Sequence, residues 1–351
     1  MRIINSACIG LVGLMSLTAS GFAWHKPGHM ITALVAYEKL DPTTRTQLAE
    51  ILKHHPRFAD DFHPLPSGSP EDQERWLFCQ ASTWPDHVRP TNNVDGTIPA
   101  DPQIVTSFHR EQWHFINFPI GLLPPGAAEA EISALEASGA TNINLSTNVP
   151  TQETLKMNVL QAIEFNAAIL KDSHNKPAGR AVALCWLLHT VGDIHQPLHS
   201  SALFTKTLFA PATHPEGDRG GNRITFISDP HNNLHSVWDD APGLTDTFHF
   251  VTNRTSSLLA DTNLKSKGAA AALITDPVAW AQESLGFARS LSYTDAIRTQ
   301  ILTAEKDNAI ISHGIVNLPA GYTDDAAMLS RQRVVEGGFR LAAKLAGCCP
   351  H

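Results

Sequence analysis

LCWLLHTVGDIHQPLHS, residues 184–200, combines an apolar helix with imidazoles and a carboxylate that such a helix has no reason to carry unless they bind something. His189 and Asp193 stand four apart and share one helical face, as two ligands of one metal ion should. Pro197 then disturbs the helix and can swing His199 toward a second ion. Asp193 has two oxygens and can bridge. A buried carboxylate among buried imidazoles is costly unless paired or metallated. A hydrogen-bonded core His–Asp pair is the competing reading of this segment taken alone.

The rest of the chain shifts that balance toward metal. The same four-residue spacing recurs in NLHSVWDD, at His235 and Asp239. One such pair occurs often by chance; two in one chain, the first inside an apolar helix, do not. Asp86 in ASTWPD and His114 in QWHFIN are further candidates, although each, alone, reads as structural. Residues 1–23 have a basic residue, Arg2, an apolar stretch, and small residues ending at Ala23. This is the build of a secretory signal peptide cleaved after Ala23, which implies a secreted or periplasmic protein. Cleavage would give Trp24 a free α-amine, and an amine with its own carbonyl chelates a metal in a five-membered ring. His29 lies close by in WHKPGH; the plainer reading makes Trp24 core filler. Histidines number 18 against 3 tyrosines. There is no HExxH, GxSxG, Walker loop or paired CxxC, and an imidazole–carboxylate donor set suits zinc better than manganese or iron.

Helical periodicity dominates, over 29–40, 43–54, 153–171, 178–195, 277–291 and 324–346. Asp41-Pro42 opens the second helix, and Thr151 with Glu153 and Thr154 opens the third. The one convincing strand is Arg223–Ser228, beside Gly220-Gly221. Residues 119–150, rich in Pro, Ala and Gly, read as a surface insertion. The expected fold is all-α: a single mostly helical domain over 24–351 with one short β-hairpin. No stretch after residue 23 is long and apolar enough to span a bilayer. A net charge of −8 excludes a general polyanion binder, so a phosphate substrate needs a local positive site. Cys79, Cys185, Cys348 and Cys349 allow three disulfide pairings, and Cys185, in an apolar run, also reads as a buried thiol. Two sequons, at Asn144 and Asn253, are expected to be bare.

Taken in order, Trp24 with Gly28-His29, WPD at 84–86, WHFINFP at 113–119, HTVGDIHQPLH at 189–199, GGNRI at 220–224, NLHSVWD at 233–239 and EGGFRLA at 336–342 resemble the zinc-dependent single-strand nucleases of fungi, plants and bacteria. That family includes mung bean nuclease and is a cousin of the bacterial zinc phospholipases C. The resemblance covers nearly the whole chain after residue 23. It implies a mostly helical fold around three Zn2+ ions. Asp86, His114, His189 and Asp193 would hold the first; the Trp24 amine and carbonyl, His29 and Asp193 the second; His199, His235 and Asp239 the third. It also implies an endonuclease cutting RNA and single-stranded DNA to 5′-phosphorylated products, with 3′-nucleotidase action as an extension. Such an enzyme would work as a monomer without a stable protein partner.

Three zinc ions against three aspartates make a strongly electropositive site in an acidic protein, and zinc acidifies water. Asp86 and Asp193 would thus serve catalysis as well as metal binding. Arg89, three residues after Asp86, matches an arginine that the family places on the phosphate, though it also reads as a surface residue. Phe115 and Asn117 follow the His114 ligand where the family has a base pocket. Phe115 is a stacking platform or core filler; stacking contributes roughly 1–3 kcal/mol per base. Asn117 replaces the Asp of fungal members, which puts base preference in question. Asp218-Arg219 is a guess for the opposite wall. The alternative function is a zinc phospholipase C acting on phosphatidylcholine-like lipids, to which the apolar Ile120-Gly121-Leu122-Leu123 lends some support. A non-enzymatic zinc-binding protein is the third reading.

Overall fold

The computed structural model describes residues 24–90, 101–229, 232–307 and 314–348. The expected signal segment 1–23 and Cys349 lie outside the described residues. Fourteen α-helices carry the described fold: α1 (Lys26–Lys39), α2 (Pro42–Lys53), α3 (Phe58–Asp61), α4 (Pro70–His87), α5 (Pro102–Phe108), α6 (Glu129–Ala140), α7 (Val159–Lys171), α8 (Pro177–Asp193), α9 (Leu234–Asp240), α10 (Phe248–Ala260), α11 (Thr262–Ala271), α12 (Pro277–Phe287), α13 (Asp295–Lys306) and α14 (Tyr322–Cys348). Short 3-10 turns at Glu111–His114 and Pro197–Ser200 each lead into a strand.

The helix that opens the sequence argument, α8, is the central one. From Ala183 to Asp193 every residue is buried, as a helix with apolar residues all round requires. Its Leu184, Leu187, Leu188 and Val191 join the main core with α2, α4 and α7, while α1 packs on α4, α8 and α14. Gly338 explains how closely α1 and α14 approach: a Cβ there would run into the Val35 side chain and sit 2.9 Å from the Thr32 carbonyl oxygen.

Several boundaries move for identifiable reasons. Asp41 caps α2 as expected, accepting from the Thr44 amide at 3.0 Å. The helix expected from residue 153 starts at Val159 instead. Asn158 and Gln161 form a reciprocal capping box there, and the Thr154 carbonyl is taken by the Trp113 indole at 2.9 Å. The strand expected at 223–228 is not formed among the described residues. Gly220 and Gly221 adopt left-handed backbone and a capped α9 follows closely, leaving only isolated bridges from Thr225 to Asn233 and Phe226 to Val316. The sheet lies elsewhere and is parallel: β1 (Phe118–Gly121) pairs with β2 (Ser201–Phe204). The segment 119–150 is therefore not wholly a surface insertion. Ile120, Leu122 and Leu123 are buried, and the Glu136 side chain of α6 reaches back to the Gly121 amide at 3.0 Å. Cys79 and Cys185 are buried free thiols, with burial raising both thiol pKa values. No described helix is long and apolar enough to cross a membrane.

Candidate metal centre

Three structural devices bring distant residues together. The β1–β2 pair clasps the segments of His114 and His199: the Ile116 amide donates to the His199 carbonyl at 2.8 Å, and His199 Nδ1 meets the His114 carbonyl at 2.6 Å. In α4, Pro85 removes one helical donor just before Asp86. The Ser82 carbonyl in the same turn lies 2.8 Å from His189 Nδ1 on α8. At the start of α1, the Trp24 indole donates to the Gly192 carbonyl at 2.8 Å, and the His25 amide donates to the Asp239 carbonyl at 3.1 Å.

These contacts assemble three groups able to hold a metal: His29, His189 and Asp193; Asp86, His114 and His189; and His199, His235 and Asp239. Asp193 sits at their junction. Its Oδ2 lies 3.1 Å from His114 Nδ1 and 3.2 Å from His189 Nε2, while its Oδ1 lies 3.4 Å from His29 Nε2 and 3.9 Å from His199 Nδ1. His189 Nε2 is 3.6 Å from Asp86 Oδ1 and 2.9 Å from His114 Nδ1. In the third group, His235 Nε2 lies 3.2 Å from His199 Nε2 and 3.5 Å from Asp239 Oδ2.

The donor chemistry fits a soft-to-borderline divalent cation. His189, His199 and His235 engage the carbonyls of Ser82, His114 and Gly220 through Nδ1, leaving Nε2 for the metal side. Burial holds the imidazoles of His29, His114, His189 and His199 below their usual pKa, hence neutral and able to coordinate. Burial pushes the carboxyls of Asp193 and Asp239 upward, with Asp86 adding to the effect at Asp193 and the Gln196 side chain opposing it at Asp239. Both ring nitrogens of His29, His114 Nε2 and Asp193 Oδ1 are buried without a hydrogen-bond partner among the described residues. Polar atoms in that state are expensive, and a divalent cation is the natural compensation.

Arg89 is buried beside this centre, with Nε 2.9 Å from Asp86 Oδ1. Phe115 is half-buried and joins none of the apolar clusters among the described residues; Asn117 is 7% exposed. Asp218 does not line a pocket wall, since it is fully buried, and Arg219 faces Glu216 and Glu111. Sequence reasoning passed over Gln196, although it stands inside HQPLH. Its side-chain amide donates to Asp239 Oδ1 at 2.8 Å and its Oε1 accepts from the Leu198 amide. Gln196 thus ties the turn after α8 to a candidate ligand on α9, Asp239.

Three buried imidazole–carboxylate groups in a helical fold make a candidate polynuclear metal centre. The sequence profile of the S1/P1 nucleases matches residues 24–349, and the chain belongs to that family. It is 25% identical over 207 residues to Nuclease P1 of Penicillium citrinum, covering 52% of this chain and 63% of that protein. It is 24% identical over 200 residues to Nuclease S1 of Aspergillus oryzae, covering 53% and 60% respectively. A shorter match, 42% over 59 residues and 16% of each chain, is to Endonuclease 3 of Arabidopsis thaliana. The matches thus span under two thirds of the fungal proteins' length.

Proposed function

We propose that this chain is an exported zinc-dependent endonuclease that hydrolyses RNA and single-stranded DNA to 5′-phosphorylated products and also removes 3′ phosphates from nucleotides. The observation that carries the reading is the convergence on Asp193 of metal-ready groups, in a chain of the S1/P1 nuclease family. Asp86, His114, His189 and Asp193 would hold one zinc; Trp24, His29 and Asp193 a second; His199, His235 and Asp239 a third. When bound, zinc supplies positive charge to the phosphodiester and lowers the pKa of water.

The remaining work falls to the chain. Asp193 links two ligand groups through its two oxygens. Gln196 fixes the Asp239 carboxylate, and the carbonyls of Ser82, His114 and Gly220 orient three imidazoles. Arg89, tied to Asp86, is assigned to the phosphate, where a planar guanidinium matches the charge of the transition state. Phe115 supplies a stacking surface and Asn117 a base-edge contact, which only unpaired bases can reach. The protein works as a monomer, after cleavage following Ala23. The lipid alternative loses its sequence support, because Ile120, Leu122 and Leu123 are buried against β2 and the core behind it rather than offered to a membrane.

The test is a parallel digest of single-stranded DNA, RNA, duplex DNA and phosphatidylcholine by protein beginning at Trp24, with and without chelator. Chelator-sensitive release of 5′-mononucleotides is expected. Lipid hydrolysis without nucleic-acid cleavage would refute the assignment. A residue added before Trp24 should remove the second zinc and most activity; full activity from that protein would refute the amine chelate.

A further inference from the structure

Asp218 belongs to none of the three metal groups, yet it stands where the segments of two ligands cross. Its Oδ1 accepts from the Leu203 amide at 2.8 Å, in β2, four residues beyond His199. Its Oδ2 accepts from the Gly221 amide at 2.9 Å and from the Tyr293 hydroxyl at 2.7 Å. The Asp218 amide donates to the Leu203 carbonyl at 2.9 Å, and its carbonyl accepts from the Arg223 amide at 3.0 Å. One buried side chain and its backbone therefore fasten the 217–223 loop to β2 and to the turn after α12.

The product of that fastening is the position of one carbonyl. Gly220, adjacent to the tethered Gly221 amide, presents its oxygen 2.6 Å from His235 Nδ1. The loop turns through left-handed backbone that Gly217, Gly220 and Gly221 adopt freely, and Arg219, at a φ of 58°, is the one non-glycine among the described residues to share it. A left-handed non-glycine residue is strained and persists only where its surroundings over-determine it. A side chain at Gly220 would also strike the Leu198 carbonyl.

We infer that Asp218 is a positioning residue for the His199–His235–Asp239 group, holding the Gly220 carbonyl that orients His235. The inference rests on the three-zinc reading above. Burial, partly opposed by the Leu203, Tyr293, Gly221 and Gly220 bonds that favour the ionised form, leaves the Asp218 carboxyl raised to about 6. A carboxylate kept ionised at neutral pH against that cost serves geometry rather than stability. Asparagine at this position would turn an N–H toward either the Leu203 or the Gly221 amide and lose one tether. Tyr293→Phe removes one bond and leaves both backbone tethers.

The experiment is zinc titration against a competing chelator, with metal counted by mass spectrometry, on wild type, Asp218→Asn, Tyr293→Phe and His235→Ala, each beginning at Trp24. Circular dichroism reports folding. His235→Ala marks the step that belongs to the third group. Asp218→Asn should weaken that step at least tenfold and leave the other two unchanged, with Tyr293→Phe intermediate. Unchanged zinc affinity in both variants, or equal weakening of all three steps, overturns the inference. If Asp218→Asn does not fold, Tyr293→Phe decides by the same outcomes. Three zincs in a wild type that cleaves no nucleic acid would refute the nuclease reading and leave this one standing; a wild type that binds fewer would overturn both.

Discussion

Arg333→Met removes the cation at the centre of a buried network behind the metal centre. Arg333, on α14 and 1% exposed, donates through Nε to the His195 carbonyl at 3.2 Å, through Nη1 to Glu283 at 3.0 Å and Glu336 at 2.6 Å, and through Nη2 to Ser284 Oγ at 2.9 Å. Methionine replaces the stem but none of those bonds. Glu283 keeps Arg340 on both oxygens at 2.7 Å and is a third exposed, so it loses little. Ser284 still donates to the Ile194 carbonyl at 2.6 Å. The cost concentrates on Glu336, which retains only Gln332 on Oε1, and on the His195 carbonyl, left buried and bare. Breaking a buried ion pair from one side costs about 3–5 kcal/mol. Glu336 is 8% exposed but keeps the Gln332 amide on one oxygen, which places the expected loss near the lower end, about 3 kcal/mol. In zinc-saturated protein this appears in urea unfolding as a lowered midpoint, and in a thermal scan as a drop of roughly 6–12 °C. Adding Glu336→Gln to Arg333→Met should restore stability, because it removes the stranded charge. A loss below about 1 kcal/mol, or a double variant less stable than Arg333→Met, would refute the account.

Three further outcomes follow from the same geometry. Chelation strips the counter-charge from buried Asp193 and Asp239, so the melting temperature should fall by more than 10 °C and return with zinc; a site at a thousandfold its dissociation constant contributes about 4 kcal/mol. An unchanged melting curve in chelator would contradict a resident metal. Gly192→Ala places a Cβ 2.8 Å from His29 Nδ1, an overpacking worth about 1–3 kcal/mol, and should displace His29 and cost the zinc assigned to it in the proposal; three retained zincs would count against that contact. Asp218 titrates near 6 in the folded chain against the ordinary 3.8. Its contribution to stability is therefore full below pH 4 and lost as pH rises through 6, an interval worth about 3 kcal/mol. Of the titratable groups facing it, Tyr293 stays neutral and Arg223 stays cationic across that range. The stability of Asp218→Asn minus that of wild type, measured in chelator, should climb by this amount from pH 4 to 7, and a flat difference would exclude it.

The parts of this molecule legible in its sequence are those where one local pattern determines the outcome. His189 and Asp193 share a face because they lie four apart on a helix whose other residues are apolar, and no tertiary knowledge is needed to see it. His235 and Asp239 repeat the case on α9. Local signals conflict at α4, whereas α13, capped by Thr294, went unread without any such conflict. The start of α4 is a charged run, PEDQERW, and its end holds Pro85, so periodicity is blurred at both ends although Ser69 and Asp72 build a complete capping box. The parallel β1–β2 pair could not be read at all, because its strands are four residues each and lie far apart in the chain. Apolar Ile120 to Leu123 then looks like an exposed insert when it is a core strand and its exit.

What joins these misses is that they all belong to the frame rather than to the ligands. Ligands announce themselves by residue type, whereas a frame residue is defined by what it touches. Gln196 is an unremarkable letter until Asp239 is seen beside it, and Asp218 reads as a pocket wall until Leu203 and Gly221 are seen to hold it inside. Arg333 and Arg340 on α14 are 1% and 2% exposed, and Arg333 grips the His195 carbonyl in the turn between Asp193 and His199. Buried charges of this kind do not maximise stability; well-packed apolar residues would serve that end as well or better. Their placement is intelligible if the turn after α8 must hold Asp193 and His199 at fixed separation. On that argument, replacing the Arg333–Glu336 pair by apolar residues of equal volume should leave the fold intact and loosen the metal centre.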